Sequence, residues 1–258
     1  MASWRWDDTR LVMAFWVLVV ATTPATAREQ DLASLKYLTE QYSPYNYQVD
    51  HNPPEGLAVE LLRRIWQQLG IAEQPIRVLP WPRAYNQLNV QPDVVLFSTA
   101  HTQERTAKFK WACPIARSPI VLLALKESRI RLQTIQDANR YRIEAIQDDV
   151  GHQLLLSQQV DPAAIQIAHS LSTALKQLGK HRTDLVASNG PVAWLQLNEL
   201  GVDSSQYEEV WTLGSEEFCY AFNIQIDDAL VLRFQQALDR VRQQDDYPAL
   251  LQQFGLSP

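Results

Sequence analysis

Glycine is scarce in this chain, 8 of 258 residues. Neither a Gly-x-Gly-x-x-Gly run nor a Walker-type loop occurs, which excludes the common phosphate-cradling loops. Cysteine is scarcer still. Cys113 and Cys219 are the only two, no Cys-x-x-Cys exists, and two thiols alone cannot build a zinc knuckle. The 23 Lys+Arg are outnumbered by 29 Asp+Glu, for a formal net charge of -6; spread thinly, they argue against a nucleic-acid partner. The five histidines (His51, His101, His152, His169, His181) are scattered without metal-ligand spacing, so no metal is expected. No Gly-x-Ser-x-Gly or His-Glu-x-x-His signature is present, and no cofactor is expected either. What remains is 46% hydrophobic and 20% charged, which excludes a disordered or fibrous chain. One large or two small domains are expected at this length.

Long hydrophobic runs are nearly absent too. Leu11–Ala21 is apolar throughout, but a membrane-spanning helix takes about 20 such residues. Arg5 and Arg10 precede the run and Ala25-Thr26-Ala27 follows it as a small-x-small cleavage site. A secretory signal peptide over residues 1–27, cut after Ala27, fits this pattern, although Asp7 and Asp8 offset both arginines. The competing reading is an uncleaved anchor. Export permits a Cys113–Cys219 bridge; two buried free thiols are the alternative.

Strand and helix signals alternate along the remainder. Gly56–Gly70 predicts an amphipathic helix, with Leu57, Leu61, Ile65 and Leu69 on one face and Gly70 as its stop. Trp81–Leu88 predicts a helix with Pro82 in its first turn, and Asp227–Gln243 a long helix capped by Asp227. Short strands are expected at Ser34–Leu38, Ile76–Leu79, Val94–Phe97, Phe109–Trp111, Arg142–Ile146, near Ile165, and at Leu185–Ala187. Glu209–Leu213 and Phe218–Asn223 read as two further strands, and Ile120–Leu125 as a strand able to cross between two lobes. This alternation implies an α/β fold with mainly parallel sheets.

Four stretches carry a resemblance. They are Tyr42-Ser43-Pro44-Tyr45 with Gly56–Leu61; Trp81–Ala84 with Asp93–Ser98; Thr102–Arg105 with Phe109–Trp111 and Pro114; and Leu178–Val186. In this order, behind a signal peptide, they resemble the bacterial extracellular solute-binding protein family 3, over about Leu35 to Phe254. The resemblance implies a two-lobed periplasmic clamshell with two crossover strands, residues 28–117 with 216–258 forming one lobe and 118–215 the other. It also implies a small-molecule ligand between the lobes, a monomer, and an ABC permease or a membrane sensor as partner. Cys113 and Cys219 would then lie together near the hinge, favouring a bridge.

For the site, the resemblance implies that Arg105 grips a ligand carboxylate, a task suited to a guanidinium fork. Ser98 would add a contact and Thr102 would cap the turn that holds Arg105. Tyr42 would wall the ligand and Trp81 could supply a second wall, with plain core packing the competing reading for each. The departures from the family are informative. The position expected to hold an ammonium-binding aspartate is Asn189, Ala100 replaces a small hydroxyl, and the second-lobe loop reads Asp148-Asp149-Val150-Gly151. A ligand with an acid on Arg105 and a positive group on Asp149 reconciles these; the alternative is a ligand that is not an α-amino acid. The expected function is therefore capture of a small polar, carboxylate-bearing solute for uptake. A sensory receptor is the alternative, and a dehydratase-like enzyme using Glu60, Asp148 or Asp149 as base is the third reading.

Overall fold

The computed structural model describes Met1 and residues 31–254; the expected signal peptide, Met1 apart, lies outside the described residues. The elements run in chain order β1 (Lys36–Thr39), α1 (Leu57–Leu69), β2 (Ile76–Val78), α2 (Trp81–Val90), β3 (Val94–Ala100), α3 (Gln103–Thr106) and β4 (Phe109–Leu125). Then follow β5 (Ile143–Ile146), α4 (Val150–Ser157), β6 (Ile165–Ala168), α5 (Leu171–Leu178), β7 (Leu185–Asn189) and α6 (Gly190–Glu199). The last are β8 (Tyr207–Asn223), α7 (Asp228–Arg242) and α8 (Tyr247–Gln253). Among the described residues, no helix is long and apolar enough to cross a membrane.

The caps are where the side-chain chemistry places them. Gly70 ends α1 with φ 67°, a left-handed conformation that only glycine adopts without strain. Asp227 opens α7 by accepting the Ala229 N–H at 2.7 Å. α1 and α7 then bury their apolar stripes in one core, with Leu61, Ile65 and Trp66 facing Phe234, Leu238 and Val241 inside it.

The strand order is β2-β1-β3-β8-β4-β7-β5-β6. β1 runs parallel to β2 and β3, and β5 parallel to β6 and β7. Among the described residues, the two parallel groups are joined only by β4 and β8, which run antiparallel to each other along nearly their full lengths. β8 pairs with β3 at one end and β4 with β7 at the other, so two lobes share a two-stranded connection.

Two expectations need correction here. The segments expected as separate strands, Phe109–Trp111 and Ile120–Leu125, are one strand of 17 residues, and so are Glu209–Leu213 and Phe218–Asn223. The prolines Pro114 and Pro119 and the polar run Gly214–Glu217 suggest breaks, yet the two strands pair through Pro119 and the polar run, and Pro114 is taken up in a bulge after which pairing resumes. Around Pro119, paired with Ser215, β4 has β8 as its only partner strand, so the missing proline N–H leaves no ladder broken on the other side. The second correction concerns the crossing. Ile120–Leu123 is embedded beside β7, and the lobes are bridged by Arg117–Pro119 against Ser215–Glu217.

Cys113 and Cys219 are joined in a disulfide, with Cα atoms 4.7 Å apart. It lies where β4 bulges, between Ala112 and Ala116. Gln235 of α7 holds the bulge from behind, accepting the Cys113 N–H and donating to the Cys113 carbonyl, each at 2.7 Å.

Candidate ligand-binding site

The parallel strands of both lobes point their carboxyl ends at one another, and a cavity of about 430 Å³ lies between them. Each strand contributes from that end: Glu40 follows β1, Leu79 follows β2, Ile146 closes β5, His169 follows β6, and Ser188 lies near the end of β7. Open α/β sheets bind ligands at this place because the strand ends leave a crevice there.

Three expected residues line the cavity: Tyr42, Trp81 and Asp149. Tyr42 is packed beside Tyr45 and Phe218, and its buried hydroxyl has no hydrogen-bond partner. Trp81 belongs to a core cluster with Ala84 and Leu88 as well as to the wall, and its indole N–H also lacks a partner. Core packing and wall are thus the same residue. Asp149 caps α4, accepting the Val150 N–H at 2.7 Å, and is 7% exposed.

Opposite Asp149 stands Glu40, which the sequence reading did not single out. Its position directly after a parallel strand, two residues before the aromatic Tyr42, is the signal that would have found it. Its carboxyl makes no hydrogen bond to any described residue and is pushed well above the ordinary carboxylate range, first by burial and then by the charge of Asp149. Burial raises Asp149 too, against the opposing pull of Arg105 and of the Val150 N–H. Glu60, by contrast, is no cleft carboxylate. It pairs with Arg64 on α1 and faces a separate groove, because its place on the amphipathic helix is the outer side.

Arg105 is fully buried behind the wall and is not among the cavity-lining residues. Its guanidinium lies beside the stacked rings of Trp81 and Tyr85, 5.1 Å from each ring centre. It donates to the Ala100 carbonyl at 3.2 Å and, across the two lobes, to the Asp148 carbonyl at 2.5 Å. Its Nε has no partner. Thr102 holds the first position of the α3 turn, but its hydroxyl makes no cap bond and reaches Gln153 of α4 at 3.4 Å instead. Ser98 is buried at a β3 irregularity with φ 55° and an unpartnered hydroxyl. Asn189 caps α6, accepting the Val192 N–H at 3.1 Å and leaving its amide nitrogen unpartnered. Neither Ser98, Thr102 nor Asn189 lines the cavity.

The fold also gathers His101, Glu217 and the two cysteines, with ligand-type atoms within 4.8 Å of one another, a convergence the scattered sequence positions do not show. Both sulfurs are spent in the disulfide and are not available as thiolate ligands.

A family model for bacterial extracellular solute-binding proteins, family 3, matches residues 35–257. No curated protein matches the sequence. Among solved structures, the chain is similar to a histidine kinase sensor domain with similarity to periplasmic binding proteins, at TM-score 0.78 and 19% identity over 87% of this chain and 98% of that one. A substrate-binding protein of an ABC uptake transporter from Streptococcus pneumoniae, with bound histidine, aligns at TM-score 0.74 and 18% identity over 86% and 92%. An ancestral arginine-binding protein bound to arginine aligns at 0.72 and 16% over 86% and 98%. At these identities the likeness is one of fold.

Proposed function

Because the chain belongs to the bacterial extracellular solute-binding proteins, family 3, we propose that it captures a small polar solute between its lobes in the periplasm and presents it to an ABC-type permease. The lobes in this reading are residues 28–117 with 216–258, and 118–215. The observation that carries it is the cavity itself, fed from the strand ends of both lobes and lined by Tyr42, Trp81 and Asp149. Turnover is no part of the proposal, since a binding protein releases what it takes up unchanged.

The carboxylate expected on the solute is not required by the geometry. Arg105 is fully buried outside the lining, and its terminal nitrogens already serve the Ala100 and Asp148 carbonyls. Ser98, Thr102 and Asn189 then support the walls rather than touch the solute.

A thermal-shift screen over amino acids, amines and organic acids tests capture. A ligand at a hundredfold excess over its dissociation constant stabilises by about 2.7 kcal/mol, which raises the midpoint by several degrees. A screen in which no small solute moves the midpoint would remove the reading. The likeness to a histidine kinase sensor domain favours a second one, in which the loaded protein signals to a membrane sensor. Loss of solute uptake on deletion of the protein supports transport; loss of a transcriptional response with uptake intact supports sensing.

A further inference from the structure

The charge lining the cavity is one-sided. Glu40 and Asp149 face it from opposite lobes, Glu199 stands exposed at its α6 edge, and among the described lining residues there is no lysine or arginine. His169 is the only basic side chain of the wall. Arg105 acts on the pair from behind, yet both carboxyls stay above their ordinary range despite its charge. Two buried carboxyls whose one cation, Arg105, does not offset their burial are costly to keep ionised, and a bound cation is what relieves them. A separate observation points the same way. The Tyr42 hydroxyl, on a side chain 5% exposed that lines the same cavity, has no partner, and its lone pairs can accept from an ammonium.

An α-amino acid fits this wall badly. Its ammonium is served, but its carboxylate would sit among Glu40, Asp149 and Glu199 with no cation within the lining. The apolar part of the wall, Val78, Leu79, Pro80, Ile146 and Leu171, instead suits a methylene chain. Resting on the solute-capture reading above, we propose that the site takes a small aliphatic amine lacking a carboxylate, with one ammonium held between Glu40 and Asp149. A second ammonium, in a diamine, reaches Glu199.

The matched pair of 1,5-diaminopentane and lysine isolates the point, since they differ by the α-carboxylate alone. Calorimetric titration of the wild-type protein should show the diamine binding at least tenfold tighter than lysine. Glu40→Gln and Asp149→Asn should each weaken the diamine about ten- to hundredfold, the range of a lost charge-assisted hydrogen bond. Lysine binding as tightly as the diamine, or tighter, overturns the amine assignment and leaves solute capture standing. Failure of the diamine while another solute binds does the same. Failure of every solute in the broader screen overturns both. The wild-type comparison decides the question even where a variant fails to fold.

Discussion

At the scale of single residues, the cavity is governed by two carboxyls whose burial opposes their ionisation. Their folded values are raised, so their contribution to stability is present while they are protonated and is lost as pH rises through the folded values. The groups facing them are Arg105, Tyr42 and His152, with His169 and Glu199 elsewhere on the wall. Thermal melts of ligand-free protein from about pH 5 to about pH 8 should therefore show the Glu40→Gln/Asp149→Asn double variant gaining stability relative to wild type as pH rises. A difference that is flat with pH would contradict the raised carboxyls. Asp149 was legible in the sequence because it departs from the loop that the family resemblance leads one to expect. Glu40 was not, because an acid after a short strand has no pattern of its own until the second lobe brings another acid against it. Arg105 was expected to face the cleft, whereas it lies buried behind the wall, and its bond to the Asp148 carbonyl depends on an interlobe approach that no local spacing encodes.

Among the elements, α1 and α7 and their caps followed from apolar periodicity, and the short parallel strands from their β-branched runs. β4 and β8 did not. Their middle stretches carry Pro114, Pro119 and a polar run, and only their pairing with each other makes them strands. The disulfide clips this pair at its bulge and closes a loop of 106 residues that includes all of β5, β6 and β7. Its chief effect is then on the unfolded chain, which it prevents from separating the two ends of the second lobe. Cys113→Ser/Cys219→Ser should lower unfolding free energy by about 2–5 kcal/mol, read as a lower urea midpoint. An unchanged midpoint would mean that strand pairing and Gln235 alone hold the bulge.

For the whole molecule, closure rests on apolar and polar contacts across the opening, among them Ile146 of the second lobe packed against the cluster of Leu38, Trp81 and Leu88. The connection between the lobes is the ribbon of Arg117–Pro119 and Ser215–Glu217, a two-stranded hinge with no third strand paired beside it among the described residues. Across the opening, Arg105 donates to the Asp148 carbonyl and Thr102 to Gln153. These bonds exist only when the lobes meet, so they bias the open–closed equilibrium without touching a solute in the cavity. A hydrogen bond from a charged donor contributes about 1.5–3 kcal/mol, enough to turn a mostly closed population into a mostly open one. Arg105→Met should therefore give ligand-free protein a larger radius of gyration in small-angle scattering than wild type. Saturating solute should restore the compact value, because its own contacts to both Glu40 and Asp149 draw the lobes together. Removing the guanidinium also removes a positive charge behind the acid pair, which by itself would strengthen amine binding, so affinity alone cannot report on closure. The radius separates the two effects: if it is unchanged in the ligand-free variant, Arg105 is no brace.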